Sequence, residues 1–329
     1  MELLLANKRL HYYTNQTMKI SIMTSIEAQQ KYLEKSHIHQ KTYAAMYSSW
    51  LGGIITDPAL MLIPVDDHLV HRGDGVFEAF KYINGCIYLQ EQHINRLFNS
   101  AKKISLPIPV SRTELKEIIS ETVKVSGLNE AIVRLYVSRG PGTFGTNPYD
   151  SIGTQIYVIA TTFRAMGDEK YRDGVKIGRS QIPPKESWLA QIKTCNYLPN
   201  VLMKKEAMVR HLDFTVSFDE NNHVTESSTE NIFILTKEGI LKHPPFQNIL
   251  NGTMMIRAFE LAQKLVGQSI LKIEIGDLSE SDLLLAREVM MAGTTLDILP
   301  VVEYEGQKIG SGKPGPVAQE LLKLLRADF

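Results

Sequence analysis

Two strand patterns meet at Asn84-Gly85, and this junction constrains the fold more than any other feature of the sequence. Residues 76–83 and 86–89 are rich in β-branched and aromatic side chains. Asn-Gly accepts positive φ at both positions, as the turn of a two-residue β-hairpin requires. A helical pattern of apolar residues follows at once, over 90–104. The two strands are therefore antiparallel, and this part of the chain lacks the regular strand–helix alternation of a doubly wound sheet.

The other patterns predict strands and helices that follow no regular alternation. We expect strands at 44–50, 61–65, 131–139, 155–162, 174–182, 213–219, 231–236, 270–275, 288–292 and 298–304. We expect helices at 25–42, 112–125, 197–211, 253–266 and 315–326. This order of elements predicts an α/β protein built from two mixed α/β domains. With a polar linker at 164–173, the smaller domain covers 44–165 and the larger covers 166–329.

Residues 1–43 are predicted to form an N-terminal extension. Met18 and Met23 both precede better-patterned sequence, so we interpret the first twenty residues as a frayed tail or as the product of an upstream start. The apolar run Leu3-Leu4-Leu5 is followed by polar and charged residues. It is too short for the core of a signal peptide.

Composition excludes several classes of protein. A chain of 329 residues suits two domains, and a hydrophobic fraction of 43% allows cores that need no metal or disulfide. The net charge is zero and no basic stripe is present, which argues against a nucleic-acid binder. No run reaches the roughly 18 apolar residues that span a membrane. The distant cysteines Cys86 and Cys195 indicate free thiols in a reducing compartment, so we predict a cytoplasmic protein.

Four potential metal ligands lie close together at Asp66, Asp67, His68 and His71. They belong to a single loop and lack a matched pair of ligands elsewhere in the chain. Structural and catalytic metal sites usually draw ligands from separate segments. A polar turn is therefore favoured over a metal site, and we expect no metal.

Six separated segments carry the functional signal. They read HLVHRGDGVFEAF from 68, QEQHINRL from 90, QIKTCNYLPNVLMKKEA from 191, VTESSTENIF from 224, LNGTMMIRAFELA from 250 and MAGTTLDILPV from 291. In order, spacing and residue type they resemble the class IV, or fold type IV, pyridoxal-phosphate enzymes. The resemblance covers about residues 44–326. It implies a fold of the D-amino acid aminotransferase-like type, pyridoxal 5'-phosphate as cofactor, and an amino acid and a 2-oxo acid as substrates.

The resemblance assigns the central chemistry to Lys193 and Glu226. Lys193 would form the Schiff base with the cofactor aldehyde, and after release it would take the substrate Cα proton as general base. A lysine amine reacts only when deprotonated, and burial beside other cations favours that state. Glu226 matches the carboxylate that keeps the pyridine nitrogen protonated, so that the ring withdraws electrons. Glu230 is the competing carboxylate.

The resemblance assigns the cofactor phosphate to Arg96, Gly252, Thr253, Met254 and Thr294. The planar fork of Arg96 matches a dianion. The backbone amides of the three residues from Gly252 would begin a helix, and helix N-termini attract anions. The family usually has Gly-Ile-Thr-Arg where this chain has Gly-Thr-Met-Met. Met254 therefore lacks a hydroxyl that the family often uses, which should weaken the binding of the phosphate.

Four further residues are assigned to the cofactor ring and the substrate. Tyr197 matches the position from which some family members hydrogen-bond the phenolic oxygen of the cofactor, and Leu250 would pack on the face of the ring. Phe77 and Thr295 are assigned to the substrate. The resemblance also implies a homodimer, in which the Gly- and Pro-rich loop 140–148 of one subunit closes the site of the other.

The sequence ranks the possible reactions without deciding between them. The spacing Lys-Thr-Cys-Asn-Tyr at 193–197 is similar to that of the D-amino acid transaminase and 4-amino-4-deoxychorismate lyase branch, because branched-chain enzymes typically have one more residue there. Against this, the loop 139–149 lacks the Arg-x-His pair with which bacterial D-amino acid transaminases hold a carboxylate. Arg139, and after it Arg134, are the remaining cations.

We therefore rank a transaminase of a small D-amino acid, such as D-alanine with 2-oxoglutarate, first. A 4-amino-4-deoxychorismate lyase that releases pyruvate and 4-aminobenzoate ranks second, and a branched-chain aminotransferase third. A cofactor-binding protein without turnover is a remote fourth interpretation.

Overall fold

The computed structural model describes residues 20–35 and 37–329. The expectation for the first twenty residues lies outside these ranges, apart from Ile20. The helices are α1 (Ser25–Glu34), α2 (His68–Arg72), α3 (Gln90–Lys103), α4 (Arg112–Ser126), α5 (Asp168–Asp173), α6 (Ser187–Ala190), α7 (Leu198–Val209), α8 (Thr253–Ala262), α9 (Glu280–Leu285) and α10 (Pro316–Arg326). None of these helices is long and apolar enough to cross a membrane.

The first of two sheets is antiparallel throughout and has the strand order β2-β1-β6-β5-β3-β4. Its strands are β1 (Tyr43–Ser48), β2 (Gly53–Ile55), β3 (Gly75–Ile83), β4 (Cys86–Ile87), β5 (Ala131–Ser138) and β6 (Gln155–Thr162). Asn84 and Gly85 form the predicted turn between β3 and β4, with φ of 51° and 81°. Ile94 and Leu97 of α3 and Leu115 of α4 are buried in the core on one face of this sheet.

The second sheet contains both parallel and antiparallel pairs. Its strands are β7 (Val175–Arg179), β8 (Phe214–Phe218), β9 (Val224–Ser227), β10 (Asn231–Leu235), β11 (Ile240–His243), β12 (Lys272–Ile275), β13 (Glu288–Gly293), β14 (Asp297–Tyr304) and β15 (Gln307–Lys308). Along β10, Phe233 and Leu235 pack into the core that contains α8 and α10. Ile232 and Ile234 pack into the core on the other face, which contains α9. Both faces of the second sheet are thus covered at β10, which explains why this strand has apolar residues at successive positions. The two sheets confirm the predicted class of two mixed α/β units, whereas the exact domain limits stay a prediction.

Several sequence-based boundaries were wrong. Residues 61–65 are not a strand, and β1 pairs instead with Gly53–Ile55. Pro64 lies inside that segment and has no N–H to donate to a sheet, which accounts for the difference. The helix predicted over 25–42 ends at Glu34, because Lys35 has extended backbone, and a 3-10 helix covers Ile38–Thr42.

The linker and several short elements also differ from expectation. The stretch 164–173 contains the helix α5, and the short elements α2, α6, α9, β9, β11 and β15 were not predicted. The longest of these spans six residues, too few for a hydrophobic period to be recognised. The helix α2 occupies the loop with the potential metal ligands, and Asp67 caps it by accepting a hydrogen bond of 2.9 Å from the N–H of Leu69.

Candidate active site

Lys193 lies in a short segment between α6 and α7, and this segment runs along the start of β3. The carbonyl of Lys193 accepts a hydrogen bond of 2.9 Å from the N–H of Phe77, and the N–H of Cys195 donates to the carbonyl of Gly75 at 2.9 Å. The N–H of Lys193 donates to Ser100 Oγ at 3.2 Å. A segment that leads into the second sheet is therefore hydrogen-bonded to a strand of the first, and Lys193 lies where the two sheets meet.

The side chain of Lys193 points into an aromatic environment. Its Nζ lies 4.7 Å from the centroid of the Phe77 ring and 3.5 Å from Tyr197 Oη. Burial, together with the nearby charge of Arg96, lowers the pKa of Lys193 to about 8. A lysine with this pKa is present in part as the free amine at neutral pH, the form that attacks a carbonyl carbon.

The side chain of Lys193 lines a cavity of about 520 Å³. Strands of the first sheet and loops between strands of the second sheet also contribute to its lining. Its lining consists of Phe77, Ala79, Arg134, Tyr136, Lys193, Cys195, Tyr197, Thr229, Thr294 and Thr295. Four of the residues assigned from the resemblance besides Lys193 are thus in one place: Phe77, Tyr197, Thr294 and Thr295. The volume is that of an ordinary small-molecule site.

Arg134, not Arg139, is the arginine that lines this cavity. Arg139 forms two hydrogen bonds of 2.9 and 3.0 Å with the carboxylate of Asp74, and it donates to the carbonyls of Ile104 and Ser105 at 3.0 and 2.9 Å. These contacts occupy its guanidinium away from Lys193. Arg134 lies on β5 and donates one hydrogen bond of 3.1 Å to Thr161 Oγ1, which leaves most of its donors for another partner.

Glu226 lies on β9, one of the strands that the sequence did not predict. One carboxylate oxygen accepts a hydrogen bond of 3.0 Å from the N–H of Leu250. Burial raises the pKa of Glu226, while that hydrogen bond and the charges of Lys185 and Lys193 oppose the rise. The competing carboxylate, Glu230, accepts a hydrogen bond of 3.0 Å from the N–H of its neighbour Thr229. The charge of Glu226 is thus partly balanced by two lysines.

Arg96 belongs to a buried polar network around Glu78, a residue to which sequence reasoning assigned no role. Arg96 Nε and Nη2 donate to the two carboxylate oxygens of Glu78 at 2.7 and 2.8 Å, and Nη1 donates to the carbonyl of Asn251 at 2.9 Å. Burial alone would raise the pKa of Glu78, but Arg96 and His93 lower it to about 2. Glu78 stands between apolar residues of β3, and this was the signal for a buried carboxylate that needs partners.

The same network reaches the first residue of α8. His93 Nδ1 lies 2.7 Å from Glu78 Oε2, and His93 Nε2 lies 3.2 Å from Thr253 Oγ1. The network from Arg96 to Thr253 thus connects the two sheets through hydrogen bonds. It holds the guanidinium of Arg96 close to the start of α8.

The N-terminus of α8 is shaped by close contacts of backbone and side chains. At Gly252, a Cβ atom would lie 1.7 Å from Asn231 Oδ1, so a larger residue there would force the side chain of Asn231 to move. Asn231 Nδ2 donates to the carbonyl of Leu250 at 3.0 Å and fixes the turn before the helix. The side chain of Met254 is buried in the core of the second sheet. The amide N–H groups of the first turn are therefore the anion donors that α8 offers.

A lysine that lines a cavity and is partly a free amine near neutral pH is suited to covalent chemistry on a carbonyl group. The sequence matches the class IV amino-transferase family over residues 75–304, and the chain belongs to this family. Pyridoxal phosphate is the cofactor of the family, as the resemblance implied.

Relatives and solved structures agree with this membership. The chain is 36% identical to the chloroplastic D-amino-acid transaminase of Arabidopsis thaliana, over 96% of this chain and 84% of that protein. It is 30% identical to the D-alanine aminotransferase of Bacillus licheniformis, over 84% and 94% of the two chains. The solved branched-chain amino acid aminotransferase of Escherichia coli superposes with a TM-score of 0.78 at 26% identity, over 85% of this chain and 93% of that one.

Proposed function

We propose that this aminotransferase moves the amino group of a small D-amino acid, such as D-alanine, to a 2-oxo acid, and that Lys193 carries the cofactor. The observation that carries the proposal is the single cavity between the two sheets that Lys193 and Arg134 both line. The similarity to a D-amino-acid transaminase over nearly the whole chain supports the choice of substrate.

The residues around Lys193 fit pyridoxal 5'-phosphate. When bound, the cofactor supplies an aldehyde that accepts an amine and a pyridinium ring that withdraws electrons from Cα. Lys193 would hold the aldehyde carbon, and Glu226 the ring nitrogen. Arg96, the amides of the first turn of α8 and Thr294 would hold the phosphate. Tyr197 would donate to the phenolic oxygen, and Leu250 would pack on the ring.

Each residue of this chain then has a defined task. Lys193 would take the proton from Cα, because its pKa of about 8 makes the free amine available near neutral pH. Glu226 would accept a hydrogen bond from the protonated ring nitrogen. Tyr197 Oη lies 3.5 Å from Lys193 Nζ and would help to position the amine. The Glu78–His93 pair keeps Thr253 and Arg96 in place.

Arg134 is proposed as the cation that binds the substrate carboxylate. A carboxylate in a closed site needs a charged or multiple hydrogen-bond partner, since an unpaired one is costly. Replacing Arg134 by leucine is expected to lower kcat/KM for the amino acid by roughly ten- to a hundredfold, the range of one charge-assisted hydrogen bond. Steady-state kinetics measure this change.

Arg139→Leu is the matched comparison for Arg134→Leu. It removes the ion pair with Asp74 and is expected to lower the melting temperature more than it changes KM. If Arg139→Leu raised KM strongly in a protein of unchanged stability while Arg134→Leu had no effect, the carboxylate site would belong to Arg139 instead.

A panel of substrates tests the proposed reaction. We expect the purified protein to convert D-alanine and 2-oxoglutarate to pyruvate and glutamate faster than it converts L-leucine. The same panel should follow 4-aminobenzoate from aminodeoxychorismate, since the lyase shares Lys193 and Glu226. Relatives named for branched-chain substrates make L-leucine the necessary competitor. Fast turnover of L-leucine with no reaction of the other two substrates would overturn the proposed ranking.

We propose further that the chain works as a homodimer to which the loop 140–148 contributes. In this loop the carbonyl of Thr143 lies 3.1 Å from His68 Nε2, and the carbonyl of Gly145 accepts a hydrogen bond of 3.2 Å from Arg72 Nε. The backbone is thus held on α2, while the ring of Phe144 is 61% exposed. An ordered loop that presents an aromatic ring to solvent suits a contact with a second subunit.

The Phe144→Glu variant tests this assembly. We expect the unchanged protein to sediment as a dimer and Phe144→Glu to shift it towards monomers with reduced turnover, because a charge would be buried at the contact. Leu271→Glu, at an exposed position just before β12, is the control and should not change the mass. A fully active monomer in dilute solution would contradict the proposal.

A further inference from the structure

Behind Glu226, on the side of α7 and the second sheet, lies a separate small cavity of about 10 Å³, room for one water molecule. Lys185, Asn200, Glu226 and Ser227 are the polar residues of its wall that matter here. The cavity that contains Lys193 does not include Lys185, Asn200 or Ser227 in its lining. Glu226 lines this small cavity and does not belong to the lining of the cavity that contains Lys193.

Two buried polar atoms at this cavity have no hydrogen-bond partner among the described residues, Asn200 Oδ1 and Ser227 Oγ. Asn200 is 8% exposed and Ser227 is 1% exposed. The amide of Asn200 cannot simply be turned round, because its Nδ2 donates to the carbonyl of Ser228. Burying a polar atom without a partner costs free energy, and native proteins usually supply a partner or a water. Both atoms belong to residues in the wall of a cavity of the right size, which points to an ordered water there.

Lys185 is the charged group at this cavity. It follows Pro183 and Pro184, whose rings restrict the backbone that carries it. Its Nζ lies 4.7 Å from the centroid of the Tyr197 ring. Burial lowers the pKa of Lys185, and the charge of Glu226 opposes this. Lys185 and Glu226 are thus coupled through space without a direct ion pair.

We propose that Lys185 and one ordered water, held by Asn200 and Ser227, form a site that keeps the carboxylate of Glu226 charged inside the protein. Lys185 is a positioning residue, since it acts through Glu226 and not on the substrate. Its importance for turnover rests on the proposed role of Glu226, but its effect on the charge of Glu226 does not.

The other charged and titratable groups near Glu226 define what Lys185 adds. Lys193 and Arg96 contribute further positive charge, while Glu230 opposes ionisation. Tyr197 also faces Glu226 and stays neutral near neutral pH, because burial raises its pKa. The amine of Lys193 would be engaged by the cofactor aldehyde, whereas Lys185 would remain outside that bond. Lys185 is then the lysine that continues to balance Glu226.

Direct titration of Glu226 tests the coupling. Full-length protein labelled with carbon-13 at glutamate carboxyls is titrated by NMR, with and without added pyridoxal 5'-phosphate, and the Glu226 signal is identified by its loss in Glu226→Gln. We expect the titration midpoint of Glu226 to move to higher pH in Lys185→Met. The Lys185→Arg variant, which keeps the charge, should restore the midpoint. Lys204→Met removes an exposed lysine of α7 and should leave the midpoint unchanged.

The outcomes separate this inference from the proposed function. An unchanged Glu226 midpoint in folded Lys185→Met, or in Lys185→Gln where the methionine variant does not fold, overturns the inference. A shifted midpoint with unchanged turnover keeps it and removes Glu226 from the mechanism instead. A crystal structure of the purified enzyme tests the water: we expect one within hydrogen-bond distance of Asn200 Oδ1 and Ser227 Oγ. A dry cavity there contradicts that part of the proposal.

Discussion

Lys193→Ala is expected to abolish transamination and the covalent attachment of the cofactor. The variant loses both the amine that holds the aldehyde and the base that takes the Cα proton. General-base catalysis alone is worth about 10²–10⁴ in rate, so we expect a loss of at least that size. Phosphate contacts do not involve Lys193, and the variant should therefore still bind the cofactor reversibly. Stopped-flow measurement of a single turnover and equilibrium dialysis of the cofactor separate the two effects.

Lys185→Ala is the comparison for Lys193→Ala, because Lys185 is the other partly buried lysine near Tyr197. It should keep the covalent attachment and lose only part of the rate. If Lys193→Ala retained full turnover while Lys185→Ala lost it, the account of the site would be wrong.

Glu226→Gln is expected to slow the removal of the Cα proton by about a hundredfold or more. A neutral amide does not hold a proton on the ring nitrogen, so the ring withdraws electrons less strongly. A hundredfold loss corresponds to about 2.7 kcal/mol of barrier. Exchange of the Cα hydrogen of D-alanine for deuterium, followed by NMR, measures this step separately from product release.

Glu230→Gln is the matched control for Glu226→Gln. Glu230 is buried and is hydrogen-bonded by Thr229, so its loss should affect stability more than hydrogen exchange. A normal exchange rate in Glu226→Gln together with a slow one in Glu230→Gln would transfer the role to Glu230.

Much of the fold follows from local patterns in the sequence. The hairpin at Asn84-Gly85, the strand over 155–162 and the helix that Gly127 ends all lie where the residues predict them. The exceptions depend on distant contacts. The strand β9 is only four residues long, and it exists because β8 and β10 pair with it. No local period predicts such a strand.

Individual site residues could be proposed from the sequence, but the contacts between them could not. The resemblance identified Lys193, and the structure brings Phe77, Tyr197, Thr294 and Thr295 to the same cavity. Sequence reasoning ranked Arg139 above Arg134, because Arg139 begins the loop 139–149, where bacterial D-amino acid transaminases hold a carboxylate. Only the contacts with Asp74 show that Arg139 is already engaged.

The connections of the polar network from Arg96 through Glu78 and His93 to Thr253 could likewise not be predicted from the sequence, although Glu78 itself gave a signal. Its members His93 and Thr253 are separated by 160 positions along the chain. Hydrogen bonds of this kind depend on how two sheets are placed together, and neither residue type nor spacing indicates them. The cavity at Asn200 and Ser227 could not be predicted either, because it also depends on how distant segments pack together.

The central claim is that Lys193 is the lysine that binds the cofactor. Borohydride reduction of the purified enzyme with pyridoxal 5'-phosphate, followed by proteolysis and mass spectrometry, tests it most directly. We predict a single reduced phosphopyridoxyl adduct on Lys193, in the peptide that continues with Thr194 and Cys195. An adduct that maps to Lys185 or Lys204 instead, in protein that is active before reduction, would contradict the account.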